Sequence, residues 1–401
     1  MENKIINVAR FSSGQEEEKL FLITKSFKKV FIKSAIIYSV YFMLLTSNAL
    51  AFDMSEIELT PEITVSETYD DNISYASAHE LSDFITRINP GVTAEYDADE
   101  FRWDIYADVT QVMFARHNEF DNTSESVAFN GQLDLSKHDR LTLSEKFSHT
   151  YEPVSFDEAF GRTLGRYSYY TNNIVVEYIR DITSQCEAKV YYGHRSDQFA
   201  GHVAEDSYMN TAGAQIDYSL TSRTRVYAYD EFSKRTYEYG FDLSKNRAAA
   251  GIEQDITNQL SCTAEAGIDF ISADSDYQKP LISLSLNDRI DESTDASLSY
   301  VQEYAISQYQ QDCFDSWMTS AKLSRHPSPR IQYGCALFYG EGKYSNAAFH
   351  EQFIGNEIWL NYSINKNTDI IAAYTLAKVL SGDADREYTK NKILTGVRAK
   401  F

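Results

Sequence analysis

Residues 387–401 read EYTKNKILTGVRAKF. Over the last ten positions Ile393, Thr395, Val397, Ala399 and Phe401 share one face, and Lys392, Leu394, Gly396, Arg398 and Lys400 share the other. Successive Cβ atoms of a strand point to opposite sides, so strict alternation is the signature of a strand with one apolar and one polar face. The decisive question is whether the remaining chain repeats it.

It does. Ile57, Leu59, Pro61, Ile63 and Val65 alternate with acidic residues and threonines. Phe101, Trp103, Ile105, Ala107 and Val109 alternate with Arg102, Asp104, Tyr106 and Asp108. Val127 to Leu135, Ile282 to Leu286 and Ile331 to Tyr339 follow the same rule. No sustained helical period appears after residue 51. Short polar segments punctuate the pattern at 97–100, 136–139, 181–184, 220–223, 255–258, 291–294, 326–329 and 365–368. They are rich in Asp, Asn, Ser and Thr, whose side chains bond their own backbone in tight turns. Longer connections fall between them, around 70–81, 117–121, 151–166, 197–205, 271–278, 307–312, 341–350 and 380–386, with a tighter one at Tyr237-Glu238. Nine hairpins give about 18 strands, an even count with short turns at one end and long loops at the other. The expected fold is all-β, a transmembrane antiparallel up-and-down β-barrel over residues 52–401. A soluble sandwich or solenoid is disfavoured, because strands of about 12 to 16 residues exceed the usual five or six.

Composition agrees. Tyr (29) and Phe (23) are abundant and Pro (6) is scarce, which suits strands. A mean hydropathy of -0.42 is compatible with a barrel that turns only alternate residues to lipid. Lys25, Lys28, Lys29 and Lys33 precede an apolar run, Ala35 to Leu45, and then Ala49-Leu50-Ala51. This basic, apolar, small-x-small order predicts an export signal over residues 1–51, cut after Ala51. The run is too short to span a bilayer as a helix, which takes roughly 20 residues. The first 51 residues hold seven basic and four acidic side chains, so the rest carries -25 against -22 for the whole chain. Such a chain repels nucleic acid. Cys186, Cys262 and Cys335 lie on apolar faces, and Cys313 is out of register with Cys335, opposite which residue 320 or so is expected, so no disulfide is expected.

A closing strand that ends on an aromatic residue resembles the C-terminal signal of bacterial outer-membrane barrels. That resemblance makes Phe401 an assembly signal and implies the barrel assembly machinery and outer-membrane lipids as partners. Residues 67–73 read ETYDDNI and residues 82–92 read SDFITRINPGV. This opening resembles a family of outer-membrane β-barrel porins that accompany exopolysaccharide biosynthesis and export genes. The resemblance covers about forty residues. It implies the outer membrane of a Gram-negative bacterium, with a polysaccharide substrate and envelope export components as further partners.

Chemistry is otherwise sparse. The eight histidines show no zinc spacing, and no nucleophile elbow, phosphate loop or dinucleotide fingerprint is present. Neither an enzyme, a cofactor nor a metal is expected. Asp70-Asp71-Asn72 offers three oxygens, too few for calcium without further ligands, and reads as a strand-ending turn. The candidate functional surface is the inner wall: Arg102, Asp104, Asp108 and Arg116 on one strand; Arg223, Arg225, Tyr227, Tyr229, Glu231 and Arg235 on another; Lys392 and Arg398 on the last. Charges in a narrow lumen select solutes by sign, and tyrosine faces stack on sugar rings. Acidic residues recur in the long loops, at Asp70, Asp71, Glu80, Asp157, Glu158, Asp197, Glu205, Asp274, Asp276, Asp383 and Asp385. An acidic mouth disfavours an anionic polymer. The expected function is an export conduit for a neutral or weakly charged polysaccharide. The alternatives are a general diffusion porin and a structural or adhesive barrel with a plugged lumen.

Overall fold

The computed structural model describes residues 56–152, 165–202, 204–272, 276–307, 311–345, 350–382 and 386–401. The expected export signal at 1–51 lies outside them, as do Asp157, Glu158, Asp274, Asp383 and Asp385. The strands are β1 (Glu58–Asp70), β2 (Asp83–Asp97), β3 (Phe101–Phe114), β4 (Asn122–Asp134), β5 (Asp139–Thr150), β6 (Tyr169–Thr183), β7 (Cys186–Phe199), β8 (Ser207–Thr221) and β9 (Thr224–Tyr237). They continue as β10 (Leu243–Asp255), β11 (Leu260–Ser272), β12 (Asp276–Asp291), β13 (Thr294–Ile306), β14 (Cys313–Ser328), β15 (Ile331–Tyr344), β16 (His350–Asn365), β17 (Thr368–Ser381) and β18 (Tyr388–Lys400). Each pairs antiparallel with its sequence neighbours, and β1 also pairs with β18, which closes an 18-stranded barrel. Closure pairs the first strand with the last, so neither is left as an open edge in lipid.

All eight short connections overlap the expected segments, two of them by a single residue: 184–185 against 181–184, and 329–330 against 326–329. Five are two residues long, and each has a register shift beside it: at Asp181/Thr183, Ser219/Thr221, Arg289/Asp291, Arg325/Ser328 and Ser363/Asn365. The turn chemistry is the same in all five. Thr183, Thr221, Asp291, Ser328 and Asn365 each accept the backbone N–H two residues on, at 3.2, 3.1, 2.7, 3.4 and 2.8 Å. This is the local bond that favours these residues in turns.

The two faces of the wall separate by a geometric argument. Neighbouring strands lie about 4.8 Å apart, so a side-chain bond that skips a strand is practical only on the concave side. Tyr106 Oη donates to Glu62 from β3 to β1, Tyr191 to Glu231 from β7 to β9, and Tyr227 to Glu265 from β9 to β11. Those residues face inward. Alternation then turns Leu59, Val65, Val190, Ile216, Leu284, Leu337, Ile358, Ile393 and Val397 outward, where all are exposed. The apolar faces therefore form the lipid-facing band.

Two elements depart from a simple tube. The pairing of β12 with β13 stops at Ile282 opposite Gln302, although β12 stays paired to β11 as far as Asp276. The free upper end of β13, still paired to β14, bends into the bore. There Tyr304, Ile306 and Cys313 pack against Tyr237, Leu243 and Ile271 of β9, β10 and β11. Tyr237 Oη donates to Ser307 O at 2.6 Å. The second element is the connection after β1. Asn72 and Ile73 are fully buried, Ile73 packs on Ile85, Val112 and Phe114, and Tyr75 packs on Phe353, Val379 and Tyr388. Both elements narrow the loop end of the barrel.

The four cysteines are free. Leu323, rather than a residue near 320, stands opposite Cys335, because β14 runs to Ser328 and the bulge beside its turn displaces the register.

Candidate functional site: the inner wall

The expected wall residues divide by what they touch. Arg102 reaches Asp134 at 3.5 Å, and Asp104 accepts from Asn130 at 2.9 Å. Asp108 accepts from Asn89 at 2.8 Å and from Ser126. Arg225 grips Glu253 with two nitrogens, at 3.0 and 2.7 Å, and lies 3.7 Å from Asp217. Glu231 accepts from Tyr191 at 2.9 Å. Arg398 pairs with Asp369 at 3.1 Å. Two expectations need correction. Arg116 follows the end of β3 and is exposed in the connection to β4. Arg223 lies in the β8–β9 turn and donates to Asn258 at 2.8 Å. Alternation in the sequence runs on through both positions, but β3 ends at Phe114 and β9 begins at Thr224.

Tyr227 and Tyr229 lie in parallel planes, 16° apart with centroids 6.5 Å apart, and both hydroxyls donate to Glu265, at 2.8 and 2.9 Å. Their rings stay against the wall. A Cβ on Gly251 would meet the Tyr227 ring at 2.3 Å, so only glycine leaves room for the ring to lie flat. Gly213 does the same under Tyr191 at 2.4 Å, and Gly334 under Trp359 at 2.2 Å. Tyr191, Tyr227 and Trp359 thus lie along the wall, whereas Tyr304 and Tyr75 pack inside the loop end.

Two of the acidic residues expected at the mouth are not free there. Asp197 and Asp70 are fully buried in ion pairs. Asp197 meets Arg235 at 2.7 Å and Arg195 at 3.0 Å. Asp70 meets Lys390 at 2.9 Å and Arg166 at 3.7 Å. Their pairing depends on the register, which sets β1 beside β18 and β7 two strands from β9. The Asp70-Asp71-Asn72 segment is a turn: Asn72 N donates to Asp70 at 3.0 Å, and Ala76 N to Asn72 Oδ1 at 3.0 Å. Asp71 also accepts from Asn391 N and Nδ2, at 2.7 Å each, which ties the turn to β18.

Glu152, just beyond β5, joins this group. It accepts Arg87 at 2.8 Å, Arg166 at 3.0 Å and the Tyr75 hydroxyl at 3.3 Å. Burial alone would raise its pKa, but Arg166, Lys390, Arg87 and Lys392 outweigh burial and hold the carboxyl well below the usual range.

A closed wall with an apolar exterior and a polar, ion-paired bore is the architecture of a membrane channel. The sequence matches the family described as "Putative beta-barrel porin 2" over residues 58–401. The chain belongs to that family. This porin shares its fold with OccK2 (OpdF) of Pseudomonas aeruginosa, at 9% identity and a TM-score of 0.51, covering 86% of this chain and 98% of that one. A BenF-like porin from Pseudomonas fluorescens Pf-5 gives the same identity and TM-score, with 86% and 99% covered. At such identities the likeness speaks for the fold. No curated protein sequence matches. Porins of this architecture are outer-membrane proteins of Gram-negative bacteria, set in its lipid, and are channels.

Proposed function

We propose that this porin is a passive channel for small polar solutes. The observation that carries the reading is the inner wall itself. Arg225 and Arg398 are paired along the barrel surface, and the rings of Tyr191, Tyr227 and Trp359 lie flat over Gly213, Gly251 and Gly334, which keeps these side chains against the wall. The inward-folded end of β13–β14 and the connection after β1 narrow the loop end, which favours small solutes over a polymer. Under this reading Arg102, Asp104, Asp108, Arg225, Tyr227, Tyr229, Glu231, Lys392 and Arg398 line the path. Residues 1–51 serve as a cleaved export signal, and Phe401 is read by the barrel assembly machinery.

A polysaccharide conduit is the second reading. The opening at residues 67–92 favours it, as do the flat faces of Tyr227, Tyr229 and Trp359, of which Trp359 also has Lys322 5.4 Å from its ring. Single-channel recording of the refolded protein in a planar bilayer separates the readings. Steady current indifferent to added polysaccharide supports the small-solute channel, and current blocked by polysaccharide supports the conduit. Silence from a folded barrel refutes both.

A further inference from the structure

The inner face at the loop end of the β1–β18 seam gathers more positive than negative charge. Four cations meet there: Arg87 of β2, Arg166 of the connection after β5, and Lys390 and Lys392 of β18. Asp70 and Glu152 stand among them, within 4 Å of Arg87, Arg166 and Lys390. Asp83 lies opposite Asp70 in the β1–β2 pairing, but its carboxylate is turned to the backbone N–H groups of Phe84, Arg116 and His117 at 2.8 to 3.1 Å. Even with Asp83 counted, four cations face three carboxylates.

The surplus has an address. Arg87 and Arg166 spend their forks on Glu152, Thr68 and Ile73 O. Lys390 is capped by Asp70 and by the Tyr75 ring, 3.7 Å from its ammonium. Lys392 has neither an ion pair nor a hydrogen bond among the described residues. It is half-buried, and its Cα is opposite Asp70 on the inward face of β18. A partly desolvated ammonium that feels Glu152 and Asp70 only at a distance, makes no contact ion pair and is backed by Lys390 and Arg87 is incompletely paired, and an anion completes it.

We propose that Lys392, supported by Lys390 and Arg87, is a binding step for small monocarboxylate solutes in this channel. A monoanion fits better than a doubly charged one, because the excess is small and the guanidinium forks that clasp phosphates are already occupied. A single ammonium is a point-charge donor that takes one carboxylate oxygen pair from the bore side. The inference rests on the channel reading for its transport consequence, but the site itself is independent of flow.

The test uses lactate as the probe and the full barrel, refolded, with Lys392→Gln and Lys392→Met as variants. Lys392 makes no internal bond, so both variants should fold, which heat-dependent mobility on gels reports. Under a sodium lactate gradient, the lactate-to-sodium permeability ratio should fall about fivefold in either variant, the factor one unit charge at about 4 Å gives at a water-like dielectric. Saturation-transfer NMR of lactate on the detergent-solubilised barrel should show a signal that the variants lose. An unchanged permeability ratio together with an unchanged NMR signal overturns the site. A folded wild-type barrel that carries no current overturns the channel reading alone. In that case the NMR arm decides the site, and absence of a wild-type lactate signal refutes it.

Discussion

Asp197→Asn removes one charge while keeping the shape of the side chain. In the wild type, the Asp197 carboxylate is wholly buried and meets Arg235, itself 3% exposed, at 2.7 Å. It also meets Arg195, 34% exposed, at 3.0 Å. The two contacts deserve different weights. Removing one partner of a buried pair costs about 3–5 kcal/mol, because the other charge is left without compensation. An exposed pair is screened and contributes about 0–1 kcal/mol. Among the described residues Arg235 retains only the Ser207 hydroxyl, at 2.8 Å, and the Met209 sulfur, so most of the loss comes from it. The expected destabilisation is about 3–5 kcal/mol, read as a lower denaturant midpoint for the refolded barrel in detergent. The decisive control is the double variant Asp197→Asn with Arg235→Met. It removes the stranded guanidinium and should recover most of the loss. A double variant as unstable as the sum of its singles would refute the argument from uncompensated charge.

Three further outcomes are expected. Gly251→Ala pushes the Tyr227 ring off the wall and breaks its 2.8 Å bond to Glu265, costing about 1–3 kcal/mol by overpacking and lowering conductance. Adding Tyr227→Ala should restore the conductance. The depressed pKa of Glu152 means that its contribution is full above the unfolded carboxylate value of about 4.3 and is lost progressively as pH falls toward the lower folded value. Glu152→Gln should flatten that acid-side slope in a midpoint-versus-pH series. Phe401 holds the seam through its backbone, N–H to Pro61 O at 2.9 Å, while its ring is 75% exposed. Phe401→Ala should therefore change the midpoint of the refolded barrel by no more than about 0.5 kcal/mol yet sharply reduce outer-membrane assembly in cells. Equal losses in both assays would remove its role as a signal.

The wall could be read from the chain because two local codes agree along it. Alternation set the faces, and Thr, Asp, Ser or Asn at fixed places set the turns. Together they placed eight short connections, nine loops and the closing of the count at 18 strands. What escaped was what these codes do not carry. Tyr304 and Ile306 alternate like any lipid-facing pair, and nothing in their spacing says that the end of β13 leaves β12 and packs inside. Gly213 and Gly251 look like weak strand residues until the register sets Tyr191 and Tyr227 opposite them. The sequence marks Arg225 and Arg102 as lumenal charges but does not name their partners, Glu253 and Asp134. Arg116 and Arg223 mark the limit of alternation: side-chain parity continues in the text after the backbone ladder has ended.

The seam between β1 and β18 also sets an order of events. Every other strand meets the strand made just before it, so those contacts form over short lengths of chain and nucleate locally. The seam joins groups as distant as Asp71 and Asn391, 320 residues apart. It cannot form until the last strand exists, and the entropy of bringing such remote segments together falls on that single step. Until then β1 and β18 both present open edges that could recruit a strand from another molecule. A growing sheet of this kind needs its first edge held apart from other chains while the rest is added. The final zippering, from Asp70 opposite Lys392 to Glu62 opposite Lys400, is therefore the expected slow step of its folding.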